Sequence, residues 1–135
     1  MKTTNNKITN ILVVDDDPIA IFLAKELLEG KFNAIGVTNG YDAVKALEEN
    51  YFDIILMDIN LGDDRMDGLR TMRLIRQTSK FKRVKIIALT AHAHNREFYI
   101  KQGFDELHLK PINEELFEKI NNLLSNSTNY LNHSV

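Results

Sequence analysis

The 135-residue sequence has no cysteine, no tryptophan and only two prolines. Without thiols there is no disulfide, no thiolate nucleophile and no cysteine-ligated metal centre. Isolated prolines at 18 and 111 cannot build a proline-rich linker or an extended recognition tract. No apolar run approaches the roughly 18 residues that cross a bilayer. The amino terminus, MKTTNNK, lacks the apolar stretch of a signal peptide. A membrane is therefore not an expected partner, and a cytoplasmic location is expected. Charge of one sign is missing too: 17 basic residues stand against 19 acidic ones, for a net charge of −2. Such a balance recommends neither nucleic acid nor an anionic surface as a partner.

What is present is a regular alternation. Five short apolar runs, residues 8–14, 33–37, 53–57, 84–89 and 106–109, are mostly β-branched or leucine-rich, as strands covered on both faces must be. Between and after them lie amphipathic segments at 18–28, 41–49, 68–78, about 95–102 and 114–124. Asp17 followed by Pro18 predicts an N-cap and a first-turn proline, Gly30 follows the first helix, and Asn113 can cap the last. Spacings of three and four predict that Ile19, Phe22, Leu23 and Leu27 in the first helix, and Leu116, Ile120, Leu123 and Leu124 in the last, face a sheet. Strict strand–helix alternation implies right-handed crossovers. The expected fold is α/β: a doubly wound five-stranded parallel sheet of flavodoxin-like order 2-1-3-4-5, with helices on both faces. One domain over 1–125 is expected, followed by a flexible tail at 126–135 that is rich in Asn and Ser.

In an open parallel sheet, ligands bind beyond the carboxyl ends of the strands. The first run ends in Asp15-Asp16, the third in Asp58, the fourth in Thr90 and the fifth in Lys110-Pro111. The second ends only in Thr38-Asn39 and falls at the sheet edge in the expected order. Three carboxylates on one rim cannot all stay ionised unless a cation joins them, because like charges raise one another's pKa. Oxygen ligands without cysteine or paired histidines favour a hard ion, and a small, partly hydrated cluster suits Mg²⁺ better than Ca²⁺. A carboxylate beside Mg²⁺, faced by an ammonium and a hydroxyl, is equipment for phosphoryl transfer, with Asp58 as the nucleophile.

The stretches ILVVDDDP, DIILMDINL, MDG, IALTAHA and LKPI resemble, in order, the receiver domain of bacterial two-component response regulators over about residues 7 to 125. That resemblance implies a Mg²⁺ site made by Asp15, Asp16 and Asp58 with the backbone carbonyl of Asn60, phosphorylation at Asp58, and assisting roles for Thr90 and Lys110. It implies a sensor histidine kinase or a histidine phosphotransfer protein as phosphodonor, and a downstream protein as target. The output surface is expected near the fourth helix, fifth strand and last helix. A monomer or weak homodimer acting through protein contact, not an enzyme with its own substrate, is the expectation. A cis bond is implied between Lys110 and Pro111. Asn60 and His92, each two residues beyond a site residue, would line the path of attacking water.

Three departures from the family pattern stand out. The loop after Asp58 is longer and carries Gly62 where proline is usual; the segment from Thr90 to Gly103 is shorter; Leu107 replaces an aromatic residue. Other readings remain open at this level. A haloacid-dehalogenase-like phosphatase also uses an aspartate and Mg²⁺, but normally has a second aspartate where Asn60 stands. A flavin-binding module would need a less acidic first loop. A contact-only pseudo-receiver typically lacks one of the site groups.

Overall fold

The computed structural model describes residues 7–92 and 95–133, with side chains described as far as Asn126. In chain order the elements are β1 (Asn10–Val14), α1 (Pro18–Leu28), β2 (Asn33–Val37), α2 (Gly40–Glu49), β3 (Ile54–Asp58), α3 (Gly68–Gln77), β4 (Lys85–Thr90), α4 (Arg96–Gln102), β5 (Glu106–Leu109) and α5 (Glu115–His133). A short 3₁₀ turn, Ser79–Phe81, joins α3 to β4. The strands pair in parallel in the order β2-β1-β3-β4-β5, as the alternation predicts.

The starts of α1, α2 and α3 have a local cause. Asp17 accepts from the Ile19 N–H ahead of Pro18, Asn39 from the Asp42 N–H, and Asp67 from the Arg70 N–H. These caps satisfy amide donors that a helix leaves unpaired at its first turn. The central strand β3 is buried on both faces. Ile55 and Met57 join Ala43 and Leu47 of α2 and Met72 and Ile75 of α3. Ile54 and Leu56 join Ala24 and Leu28 of α1 and Leu116 and Ile120 of α5. Burying a side chain of that size contributes about 1.5–3 kcal/mol, so the two-sided burial of β3 anchors the sheet.

The apolar stripe expected of α1 is corrected by the structure. Ile19, Phe22 and Leu23 are 68%, 60% and 60% exposed, while Ala24 and Leu28 are buried and Ile21 packs on the core. The helix carries two apolar stripes, and the one containing the smaller residues seats closer to the sheet. Gly36 on β2 permits this, because a Cβ there would stand 2.3 Å from Ile21 Cγ2. The last helix keeps its expected face: Leu116 and Ile120 are buried, with Leu123 and Leu124 against them. It runs past the expected end at Leu124, since no glycine or proline follows and an established helix propagates through weak formers. The tail expected at 126–135 is described only as backbone to His133 beyond Asn126, and residues 134–135 lie outside the described residues.

One buried polar residue on β5 faces α5. His108 is 1% exposed; Lys119 of α5 places Nζ 3.2 Å from its Nδ1 and donates to the Leu107 carbonyl at 2.8 Å. Among the described residues its Nε2 has no hydrogen-bond partner. Burial, then the Lys119 charge, lowers the imidazole pKa below its ordinary 6.5, against the weaker pull of Glu115 and Glu106. The folded state therefore holds His108 neutral while the unfolded chain takes up a proton below 6.5. Stability is full above that pH and declines as the pH falls through the folded value. Urea titrations at a series of pH values should show His108→Leu with a flatter profile below pH 6.5 than the wild type; superimposable profiles would contradict this account.

Candidate functional site

The parallel order brings four strand ends to one rim. Register pairs Val14 with Met57, Asp58 with Leu89, and Thr90 with Leu109, so the residues at and just beyond these positions lie side by side. Asp15, Asp16, Asp58, Asn60, Thr90, His92 and Lys110 line one open cleft, together with Tyr99 from α4. Every site residue expected from the sequence is brought there. Two acids of the loop after Asp58 do other work: Asp63 accepts from the Arg65 N–H, and Asp67 is a helix cap.

Asp15 and Asp58 are buried, at 2% and 5% exposure, whereas Asp16 is exposed. Each of the three offers an oxygen within 4.8 Å of the others. Lys110 Nζ donates to Asp58 Oδ2 at 2.9 Å and to Asp15 Oδ2 at 3.2 Å. The Asn60 N–H donates to Asp58 Oδ1 at 3.0 Å, and the Asp17 N–H to Asp15 Oδ1 at 3.0 Å. Burial raises the Asp58 carboxyl pKa above the ordinary carboxylate value; the hydrogen bonds from Lys110 and Asn60 oppose the rise, and Asp15 adds to it. Burial also works against the Lys110 ammonium, but its hydrogen bond to Asp58 and the two nearby carboxylates hold it charged. Three carboxylates and one ammonium leave an excess of negative charge, and a hard cation with oxygen ligands fits that excess.

Backbone details place these groups. Gly68 opens α3 directly against the end of β3, where a Cβ would stand 2.2 Å from the Asp58 carbonyl oxygen. Only glycine allows that approach. Gly62 turns the loop after Asp58 at φ +74, and a Cβ there would stand 3.0 Å from Asp16 Oδ2. Asn60 Oδ1 accepts from the Gly62 N–H, which shapes the same loop. Thr90 Oγ1 accepts from the His92 N–H at 3.1 Å, so its own proton is available to donate. The Lys110–Pro111 bond is cis, as expected. Tyr99 is the lining residue that sequence reading does not place here. Its helical spacing marks it only as an aromatic beside Phe98, and its approach to the cleft follows from how α4 packs.

The response regulator receiver domain profile matches residues 11–121. The histidine kinase BarA of Escherichia coli is 36% identical over 117 residues, covering 84% of this chain but 12% of BarA. The chain thus spans about an eighth of the length of the curated relatives that it matches. Among solved structures, the response regulator TrrA of Thermotoga maritima, in complex with Mg²⁺ and BeF, is 36% identical with a TM-score of 0.72 over 86% of this chain and 99% of that one. The receiver domain of a Pseudomonas aeruginosa sensor histidine kinase, with a magnesium ion in its active-site cleft, is 29% identical with a TM-score of 0.77 over 88% and 99%. The chain belongs to the response regulator receiver domain family, whose members are signalling domains of two-component systems, and it is homologous to the receiver domains of histidine kinases. Among the described residues, no helix is long and apolar enough to cross a membrane.

Proposed function

We propose that Asp58 accepts a phosphoryl group from a phosphohistidine on a sensor histidine kinase or a histidine phosphotransfer protein, with Mg²⁺ held by Asp15, Asp16, Asp58 and the Asn60 backbone carbonyl. The observation that carries this reading is the buried Asp58 carboxylate, hydrogen-bonded by Lys110 within a cluster of three acids. In the transfer, an Asp58 oxygen forms the new P–O bond as the N–P bond of the donor breaks. The electron pair of that bond returns to the imidazole nitrogen. Bound Mg²⁺ would neutralise charge on the transferring oxygens. Lys110 supplies a fixed positive charge at Asp58 Oδ2, and the Thr90 hydroxyl can donate to a phosphoryl oxygen. The acyl phosphate later hydrolyses, and the protein signals through contact with a downstream protein.

The test is incubation with Mg²⁺ and acetyl phosphate followed by intact mass. A gain of about one phosphoryl group per chain that is absent in Asp58→Asn is expected. No gain in the wild type, or the same gain in the variant, overturns the reading.

The exposed face of α1 supports a protein donor. Ile19, Phe22 and Leu23 begin just beyond Asp16 and Asp17, so a partner seated on them would reach the cleft. Covering a phenylalanine contributes about 1.5–3 kcal/mol. Phe22→Ser should therefore slow transfer from a phosphorylated histidine protein by about tenfold or more. Labelling by acetyl phosphate, which needs no docking face, is the control. Equal rates from the protein donor would remove α1 from the interface.

A further inference from the structure

We propose that Tyr99 is the positioning residue through which the state of Asp58 and Thr90 reaches α4; this rests on the phosphoacceptor reading above. Leu107, buried on β5, has no ring that could change orientation beside Thr90. The aromatic side chain that does border the cleft comes from α4. Tyr99 lines the same space as Asp58, Thr90, His92 and Lys110 while packing on the core cluster that contains Leu107 and Phe104. It meets Phe104 in an edge-on arrangement, with centroids 6.0 Å apart and planes at 72°. Phe98, its other ring neighbour, is at 5.2 Å and 83° and is largely exposed. Among the described residues, the Tyr99 hydroxyl has no hydrogen-bond partner, so packing and not a polar bond holds the ring.

The surrounding helix is built to respond. No residue of α4 is fully buried. It starts at Asn95, which has φ +119 and makes no side-chain capping bond. Such a helix is capped only at its C-terminal end, where the Gly103 N–H reaches the Ile100 and Tyr99 carbonyls, and leans on the few side chains it sets against the body. Thr90 is tied towards this element, because its Oγ1 accepts from the His92 N–H. A phosphoryl group on Asp58 that draws the Thr90 hydroxyl must stretch that bond or pull the backbone at 92 with it. Either change alters the space beside Thr90 that the Tyr99 ring borders, and a shift of the ring carries α4.

Amide hydrogen exchange on the full chain, with and without acetyl phosphate and Mg²⁺, tests this. The change at residues 96–102 is expressed per phosphorylated molecule, with the label measured by intact mass. Wild type should show altered exchange there on phosphorylation. Tyr99→Leu should lose most of that change, at least threefold, and Tyr99→Phe should retain it because the hydroxyl is unpartnered. An undiminished change in Tyr99→Leu overturns the proposal while leaving the phosphoacceptor reading intact. Equal loss in Tyr99→Phe also overturns it, since the hydroxyl and not the packed ring would then be responsible. Absence of label on the wild type defeats the phosphoacceptor reading itself, and this inference with it.

Discussion

In metal-free buffer, Asp58→Asn is expected to unfold at a higher temperature than the wild type, and to lose most of the wild type's further rise on addition of Mg²⁺. Asp58 is ionised in a place that disfavours the charge: burial is the largest influence on its carboxyl and the Asp15 carboxylate adds to it. The Lys110 and Asn60 hydrogen bonds oppose this without reversing it. Asparagine has nearly the same shape and no charge; its Oδ1 can accept from Lys110, Asp15 keeps its own bond to that ammonium, and the loss of the acceptor for the Asn60 N–H takes back part of the gain. A gain of about 1–2 kcal/mol, or several degrees, is the expected scale. A cation bound only by the folded state stabilises it by about 2.7 kcal/mol at a hundred times its dissociation constant. Removing the buried carboxylate from three clustered acids takes away much of that response. Calorimetric scans of both proteins, with chelator and with Mg²⁺, check the claim. An equal response to Mg²⁺ in the two proteins would show that the ion is held without Asp58.

The companion experiment removes the cation that the protein supplies. Lys110→Met keeps a long apolar stem but leaves Asp15 and Asp58, both buried, without the ammonium that joins them. Breaking a buried ion pair by deleting one member typically costs about 3–5 kcal/mol. The Lys110 side chain is 29% exposed, so the lower end, about 3 kcal/mol, is expected here. Mg²⁺ should then stabilise the variant more than the wild type, because the added ion relieves a repulsion that Lys110 otherwise offsets. Denaturant midpoints with and without the ion would show this. A variant as stable as the wild type in chelator would mean that the two carboxylates do not depend on Lys110. Both experiments concern the same excess of negative charge, yet they predict opposite signs in metal-free buffer.

Legibility in the sequence differed between the elements. Strand β3 was readable because a strand buried on both faces is a run of apolar residues, and its polar neighbours mark where it ends. The start of α1 was readable because an Asp-Pro pair caps and opens a helix in one local device. Its orientation was not. Ile19, Phe22 and Leu23 have a valid helical period, and nothing local distinguishes them from Ile21, Ala24 and Leu28. The decision came from β2, where Gly36 leaves room for Ile21. Tyr99 was hidden for a similar reason: two adjacent aromatics on a short helix do not reveal which of them turns inward or what it meets.

By itself, the sequence determined the alternation of strands and helices, the caps at Asp17 and Asp67 and the polar residues at the strand ends, because each depends on periodicity or on neighbours a few positions away. Tertiary structure alone decided which of two apolar faces α1 turns inward, how Lys110 is shared between Asp15 and Asp58, and that Tyr99 joins the cleft. Those outcomes depend on distances between segments far apart in the chain. They are settled by close packing and by charge–charge contact after the sheet has formed, and no local pattern encodes them.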